Sequence, residues 1–483
     1  MLTLVLILLP LAFSLILLAL KSEKQIRYVA LTGVIAELGV AIAALIQYIT
    51  TCHCNLTFDA GWLTTLGVNL VFSMDGISLP LVLLTVFLLP VIVLSTFGHH
   101  YNKPAAFYSL VLLMEMALVG VFTASDGVMF YIFWELTLIP AWFICAVWGG
   151  NDRIRITFKF FIYTFAGSLL MLVALIYIYF RTPLPHSFDF RVLYIAVLSP
   201  AEQSWLFLAF FIAFAIKIPL FPFHTWQPDT YTEAPAGGSM LLAGIMLKMG
   251  LYGLIRLLLP VCHDVLREWG GPAMILAVTG IVYASLIAIR QEDMKRLVAY
   301  SSIAHVGLIA AGIFALNLKG MQGSVIQMVS HGINITGLFI VIDFIQQRTG
   351  SRNISDLGGI ARKAPRLAIL FMIILLGSIA LPITNGFVGE FLLLLGLFEY
   401  SPVFAGIAGL TVIFSAVYML WMYQRTMFGN TTSFTENITD LNGTEMATLI
   451  PLVVVIFWIG ISPGFFMDII WPDVARILAL MNF

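Results

Sequence analysis

The chain has 483 residues, of which 61% are hydrophobic and only 10% charged, with a formal net charge of −1 and a mean hydropathy of +1.01. Soluble domains carry about 25% charged residues, so a soluble enzyme, a nucleic-acid binder and a disordered hub are excluded. One bilayer crossing takes about 20 apolar residues, and with loops the length accommodates about fourteen crossings of an all-α, polytopic membrane protein.

Apolar runs bounded by turn and charge signals predict spans at 2–20, 28–48, 76–97, 106–123, 127–148, 158–180, 204–223, 236–259, 272–289, 297–316, 322–346, 367–392, 403–427 and 447–470. The first run has no basic leader and no small-residue cleavage site, so it reads as a retained span and not a signal peptide. A membrane β-barrel would show short alternating strands, and the sequence offers none. Of the four cysteines, Cys145 and Cys262 stand alone, and Cys52-His53-Cys54 reads as an ordinary loop because no cysteine has metal-ligand or CxxC spacing.

Basic loop residues set the orientation. Loops after odd-numbered spans hold sixteen, from Lys21 to Arg425. The opposite side holds six: Arg181, Arg191, Arg256, Arg267, Lys319 and Arg476. This ratio predicts both termini on the non-cytoplasmic side. Span 7 reads IKIPLFPFHTW and span 12 reads IALPITNGFVGEF, so Pro219, Pro222 and Pro382 should break both helices at membrane depth. Breaks five spans apart predict two inverted five-helix repeats, spans 4–8 and 9–13, an arrangement found in transporters with ion sites at the breaks. The predicted organisation is then 1–97 (spans 1–3), 98–259 (first repeat), 260–430 (second repeat) and 431–483 (span 14).

Charged groups inside a membrane cost at least ~2.5–3.5 kcal/mol each on insertion scales, and they usually pair, face a wet cavity or act in transport. Here they are Glu115, Glu135, Lys217, Lys248, Asp343 and Glu390, joined by His305 and His331. A single such acid is readily a structural salt bridge, and a single histidine a satisfied core residue. A mixture of acids, lysines and imidazoles spread over the bundle is what proton relay needs, because burial and histidine chemistry bring such groups toward neutral titration. The expected lateral line is Glu135, Lys217, Lys248, His305 and/or His331, then Glu390. Haem ligation by the two histidines is disfavoured, since no further intramembrane pairs are present. No dinucleotide fingerprint, phosphate loop or metal cluster is visible.

Three long stretches carry a family resemblance: FYIFWELTLIPAWFICAVWGG (130–150), KIPLFPFHTWQPDTYTEAPAGGSMLLAGIMLKMGLYGLIR (217–256) and QEDMKRLVAYSSIAHVG (291–307), followed by MVSHGI and GFVGEF. They resemble the antiporter-like subunits of respiratory complex I, NADH:quinone oxidoreductase, and among these the M-type members most closely. The resemblance implies that Glu135 is the key glutamate of span 5 and Lys217 its lysine partner. It also implies that Lys248 is the central connecting lysine, that His305 and His331 continue the line, and that Glu390 is the terminal proton-exchanging acid. L-type and N-type members usually carry lysine at that last position. One departure is Tyr231, where the family commonly has histidine. The roles of Glu115 and Asp343 are not carried over, and both read as structural.

The implied function is proton translocation driven by electron transfer in other subunits. NADH, FMN, Fe–S clusters and quinone would be held by those partners, with no redox centre, metal or cofactor in this chain. L-type and N-type subunits would flank it in a bacterial inner membrane. The alternatives are a subunit of a multisubunit Na⁺/H⁺ antiporter, a membrane-arm subunit of a hydrogenase or ferredoxin-linked complex, and a structural anchor that moves no ions.

Overall fold

Backbone groups in hydrocarbon must be hydrogen-bonded within their own segment, and the apolar runs fold accordingly as helices. The computed structural model describes residues 1–51 and 56–481, so Cys52, His53 and Cys54 lie outside the described residues. In chain order the helices begin with α1 (Leu2–Ala19), α2 (Glu23–Thr50), α3 (Ser78–Ser95), α4 (Pro104–Thr123), α5 (Gly127–Trp148) and α6 (Arg153–Tyr179). The middle of the chain forms α7 (Pro200–Lys217), α8 (Gln227–Glu233), α9 (Ala236–Val261), α10 (His263–Ile289), α11 (Met294–Phe314) and α12 (Leu318–Thr349). The last five are α13 (Pro365–Ser378), α14 (Asn385–Tyr400), α15 (Pro402–Met427), α16 (Gly443–Ile461) and α17 (Gly464–Leu480). Twelve are long and apolar enough to cross a membrane, and the pairs α7–α8 and α13–α14 supply two broken crossings.

One element was not foreseen and one expectation needs correction. A two-stranded antiparallel hairpin, Leu56–Leu63 with Val68–Met74, fills the connection between α2 and α3. Its turn passes through Gly67 at φ +64, a left-handed conformation open to glycine at little cost. The fourteenth span does not run on to 470: α16 stops at Ile461, and Pro463, which cannot extend a helix, redirects the chain into α17. The buried face of α17 (Ile469, Ile470, Asp473, Val474, Ile477) packs on α12 and the end of the hairpin, where Asp473 accepts a 2.6 Å hydrogen bond from the Gly76 amide.

The prolines break both helices as expected, and each break has its own repair. At the first, the Trp226 indole donates 2.9 Å to the Ile216 carbonyl, which the break leaves without an amide partner. At the second, Ala380 (φ 58) and Ile383 (φ 72) take left-handed backbone, strained for a β-branched residue. Thr384 Oγ1 bonds the Leu381 carbonyl at 2.6 Å there, and the Asn385 side chain and carbonyl bond to Ser330 of α12. Burial locates the axis of the bundle: the most apolar window of α12 is 100% buried, that of α1 or α2 only 33%. The helices carrying Lys248, His305 and His331 are therefore the ones furthest from lipid.

Candidate functional site: a line of buried ionisable groups

Four of the six expected relay residues come together. Lys248, midway along α9, donates 2.7 Å to the Ala243 carbonyl and lies 3.0 Å from His331 Nδ1 on α12. The His331 and His305 rings sit 6.1 Å apart, and His305 Nδ1 on α11 is 2.9 Å from Glu390 Oε1 on α14. All four residues are at most 5% exposed. The backbone is suited to the placement of Lys248: residues 242–246 form a π-helical turn, a local widening frequent at functional sites.

Lys217 and Glu135 form a separate pair with a different geometry. Lys217 is buried at the end of α7, immediately before the proline break. Its ammonium lies 3.5 Å from Thr137 Oγ1 and 5.3 Å from the centre of the Trp134 ring. Glu135 is its electrostatic partner but makes no ion pair with it among the described residues. The glutamate is only half-buried, on the outer flank of α5, facing the hydroxyls of Ser168 and Tyr131. Among the described residues no side chain hydrogen-bonds to both Lys217 and Lys248. Their helices are nonetheless pressed together, because Gly250 and Gly253 of α9 leave room only for Ile218 and Phe214 of the α7 end.

The remaining intramembrane groups separate by environment. Asp343, at the end of α12, is bonded to His99 Nε2 (2.8 Å) and the Gln347 amide (2.7 Å). It lines a cavity of about 520 Å³ on the side carrying the basic loops, together with Lys295, Glu233 and Arg352. Tyr231, the departure from the family motif, is fully buried and donates 3.1 Å to the Leu242 carbonyl in the π-turn before Lys248. On the opposite side, a cavity of about 370 Å³ is lined by Asp75, Tyr252, Arg256, Asp473 and Arg476. Burial alone would push the Asp75 carboxyl up. The Arg256 charge and hydrogen bond, with the Ile77 and Ser78 backbone amides, outweigh it and hold Asp75 below the usual carboxylate range.

Sequence reasoning missed several polar residues of the line. Gln327 Nε2 donates 3.3 Å to Glu390 Oε1. A cavity of about 10 Å³, the scale of a single water site, is lined by Ser301, His305, Gln327, His331 and Asn334. The signal was present: Gln327, His331 and Asn334 fall on one face of α12 at i, i+4 and i+7. Glu37 in α2, also passed over, is fully buried and faces Glu115 of α4.

Residues 124–415 match the family model described as "NADH:quinone oxidoreductase/Mrp antiporter, TM". The chain is 39% identical to NADH-quinone oxidoreductase subunit M of Rickettsia conorii, over 90% of this chain and 91% of that one. It is 36% identical to F(420)H(2) dehydrogenase subunit M of Methanosarcina mazei, over 98% and 97%. Among solved structures, a chain of respiratory complex I from Thermus thermophilus with bound NADH superimposes with a TM-score of 0.91 at 31% identity, covering 100% of both.

Proposed function

The chain belongs to the NADH:quinone oxidoreductase/Mrp antiporter transmembrane family, and from that premise we propose that it is the M-type, proton-translocating membrane-arm subunit of a respiratory NADH:quinone oxidoreductase. The observation that carries this is the buried sequence Lys248–His331–His305–Glu390, which runs from an amine to a carboxyl by way of two imidazoles across four packed helices. Each member can both hold and pass a proton, and a histidine bridges its neighbours by exchanging donor and acceptor roles at its two nitrogens.

In this reading Glu135 and Lys217 form the input end. Their separation leaves the ammonium resting on a hydroxyl and an aromatic face, so closing or opening the Glu135–Lys217 gap changes how well the Lys217 proton is held. That change passes to Lys248 across the α7–α9 contact and on to Glu390. Residues 98–259 and 260–430 act as two inverted repeats, each with one broken helix beside the line. The cavities at Asp343 and at Asp75 give the two faces their polar openings. The sixteen-to-six distribution of basic loop residues supports cytoplasm at the Asp343 side, both termini on the other, and a bacterial inner membrane. Redox cofactors and quinone belong to partner subunits, and L-type and N-type subunits cover the two ends of the line.

The test is NADH-driven proton pumping in sealed vesicles, with quinone reduction followed in parallel, for Lys217→Ala and Glu390→Gln. Both variants are expected to lose pumping together with NADH:quinone turnover. Normal pumping and turnover in both would make the charges structural. The 36% identity to an F(420)H(2) dehydrogenase subunit favours one second reading, the same relay driven by another electron donor. Turnover with reduced F420 and not with NADH would establish it.

A further inference from the structure

One pair of titratable groups lies off the line from Glu135 to Glu390. Glu37 sits midway along α2 and Glu115 midway along α4, and both are 0% exposed. α2 packs directly on α4, and the two carboxyl groups are each other's electrostatic neighbours. None of the four oxygens receives a hydrogen bond from any other described group. No cation offsets them from the surrounding helices. α1 and α3, packed against both, carry no ionisable side chain. The part of α9 from 248 to 253 packs on α4, and its ionisable groups, Lys248 and Tyr252, are bonded to Ala243 and His331 and to the Phe122 carbonyl. α5 brings Glu135 and Tyr131, which face each other and Ser168, and the buried thiol of Cys145. Glu23 and Arg27 of α2 are bonded to each other at the helix end.

Two adjoining carboxylates in a dry site cannot both remain ionised, because each loses hydration and repels the other. A buried neutral acid without a hydrogen-bond partner also costs free energy, though less than a charge. An acid–carboxylate pair meets both conditions, since the one O–H supplies the donor that the other oxygen lacks. α4 also packs directly on α5 and α9, the helices bearing Glu135 and Lys248. A change of charge on the line therefore acts on the pair through protein and not through water, where it is weakly screened.

We propose that Glu37 and Glu115 form a proton-storage site lateral to the relay, alternating between one and two protons as the charge on α5 and α9 changes. Uptake forms an O–H bond on the remaining carboxylate with a proton from solvent water, and release breaks that bond and returns the proton. No electrons are exchanged. The inference rests on the chain moving protons but not on the order of its relay.

The experiment is infrared difference spectroscopy of the whole purified complex, oxidised against NADH-reduced, in H₂O and D₂O. The expected result is a deuterium-sensitive protonated-carboxyl band that is lost in Glu37→Gln and in Glu115→Gln and retained in Glu390→Gln. Glutamine is chosen because its amide stands in for a protonated acid. The reciprocal double variant, with two amides bonded to each other, serves if a single variant does not assemble. A band unchanged in these variants overturns the proposal, as does loss of the band on adding Na⁺, which would make the pair a cation site. A comparison that leaves the pair intact also suffices: if the Glu390→Gln complex shows no deuterium-sensitive carboxyl band, the pair does not exchange protons. Failure of pumping in Glu390→Gln tests the relay reading separately.

Discussion

Glu390 receives its contacts from two elements, His305 of α11 at 2.9 Å and the Gln327 amide of α12 at 3.3 Å. The amide is a positioning group: it fixes one carboxyl oxygen while the imidazole faces it. Gln327→Met keeps the volume and removes the donor. It is expected to lower pumping several-fold while leaving assembly intact, whereas His305→Ala, which cuts the line itself, should lower it by roughly 10²-fold, the scale of one acid–base group. Pumping measured with a pH-sensitive dye in vesicles checks both, and equal effects would place Gln327 in the proton path. Tyr231 is the contrasting case. Tyr231→Phe leaves the Leu242 carbonyl with only the 3.4 Å bond from the Leu247 amide and should cost about 1 kcal/mol of stability, read as a lower melting temperature, with the pumping-to-turnover ratio unchanged.

At the scale of elements, α5 begins at Asp126, whose carboxylate caps the helix by accepting from the Val128 and Met129 amides. Burial pushes this carboxyl up to about 6, against the downward pull of the Asn69, Met129 and Val128 amides. The folded state then binds this proton more tightly than the unfolded chain, so the site stabilises most below about pH 4. That stabilisation is lost as pH climbs to about 6, by an amount on the order of 3 kcal/mol. Melting of the detergent-purified complex at several pH values should show that slope, and Asp126→Asn, which keeps the cap, should flatten it. The second helix break is equally specific. A Cβ on Gly386 would stand 2.1 Å from the Gly377 carbonyl oxygen, so α13 and α14 approach this closely only because of the glycine. Gly386→Ala must push the halves apart, and with them Glu390 from His305. Pumping is expected to fall more than complex assembly does, as read by native gel and dye quenching on one preparation.

At the scale of the whole molecule, orientation and charge placement belong together. Moving one charge across the membrane against 100 mV takes about 2.3 kcal/mol, so a line of groups serves transport only if its two openings face opposite compartments. In right-side-out vesicles, an impermeant thiol reagent added outside should label Ser199→Cys, before α7, and leave Thr431→Cys, after α15, unlabelled. The reverse pattern would invert the membrane reading. The half-buried Glu135 sits on an outer flank among exposed Ile132, Ile139 and Phe143. A carboxyl there is at home only under a neighbouring subunit, as the complex I resemblance implies.

Much of this was legible in the chain itself. Fourteen crossings, the breaks at Pro219 and Pro382 and all six relay candidates follow from hydropathy, proline chemistry and the cost of charge in lipid, because each of these acts locally along the sequence. What stayed out of reach depends on partners brought from elsewhere. The hairpin at Leu56–Met74 needs two short segments to find each other. The turn from α16 into α17 is fixed when Asp473 meets the Gly76 amide, nearly the whole chain away. The tertiary fold alone decided that His331 joins Lys248 while Lys217 rests on Thr137 and Trp134, and that Glu115 is answered by Glu37 and by no cation. Hydropathy determines that a side chain is inside the membrane. Which group it faces there is set by how helices distant in sequence pack, and proton transfer depends on that distance.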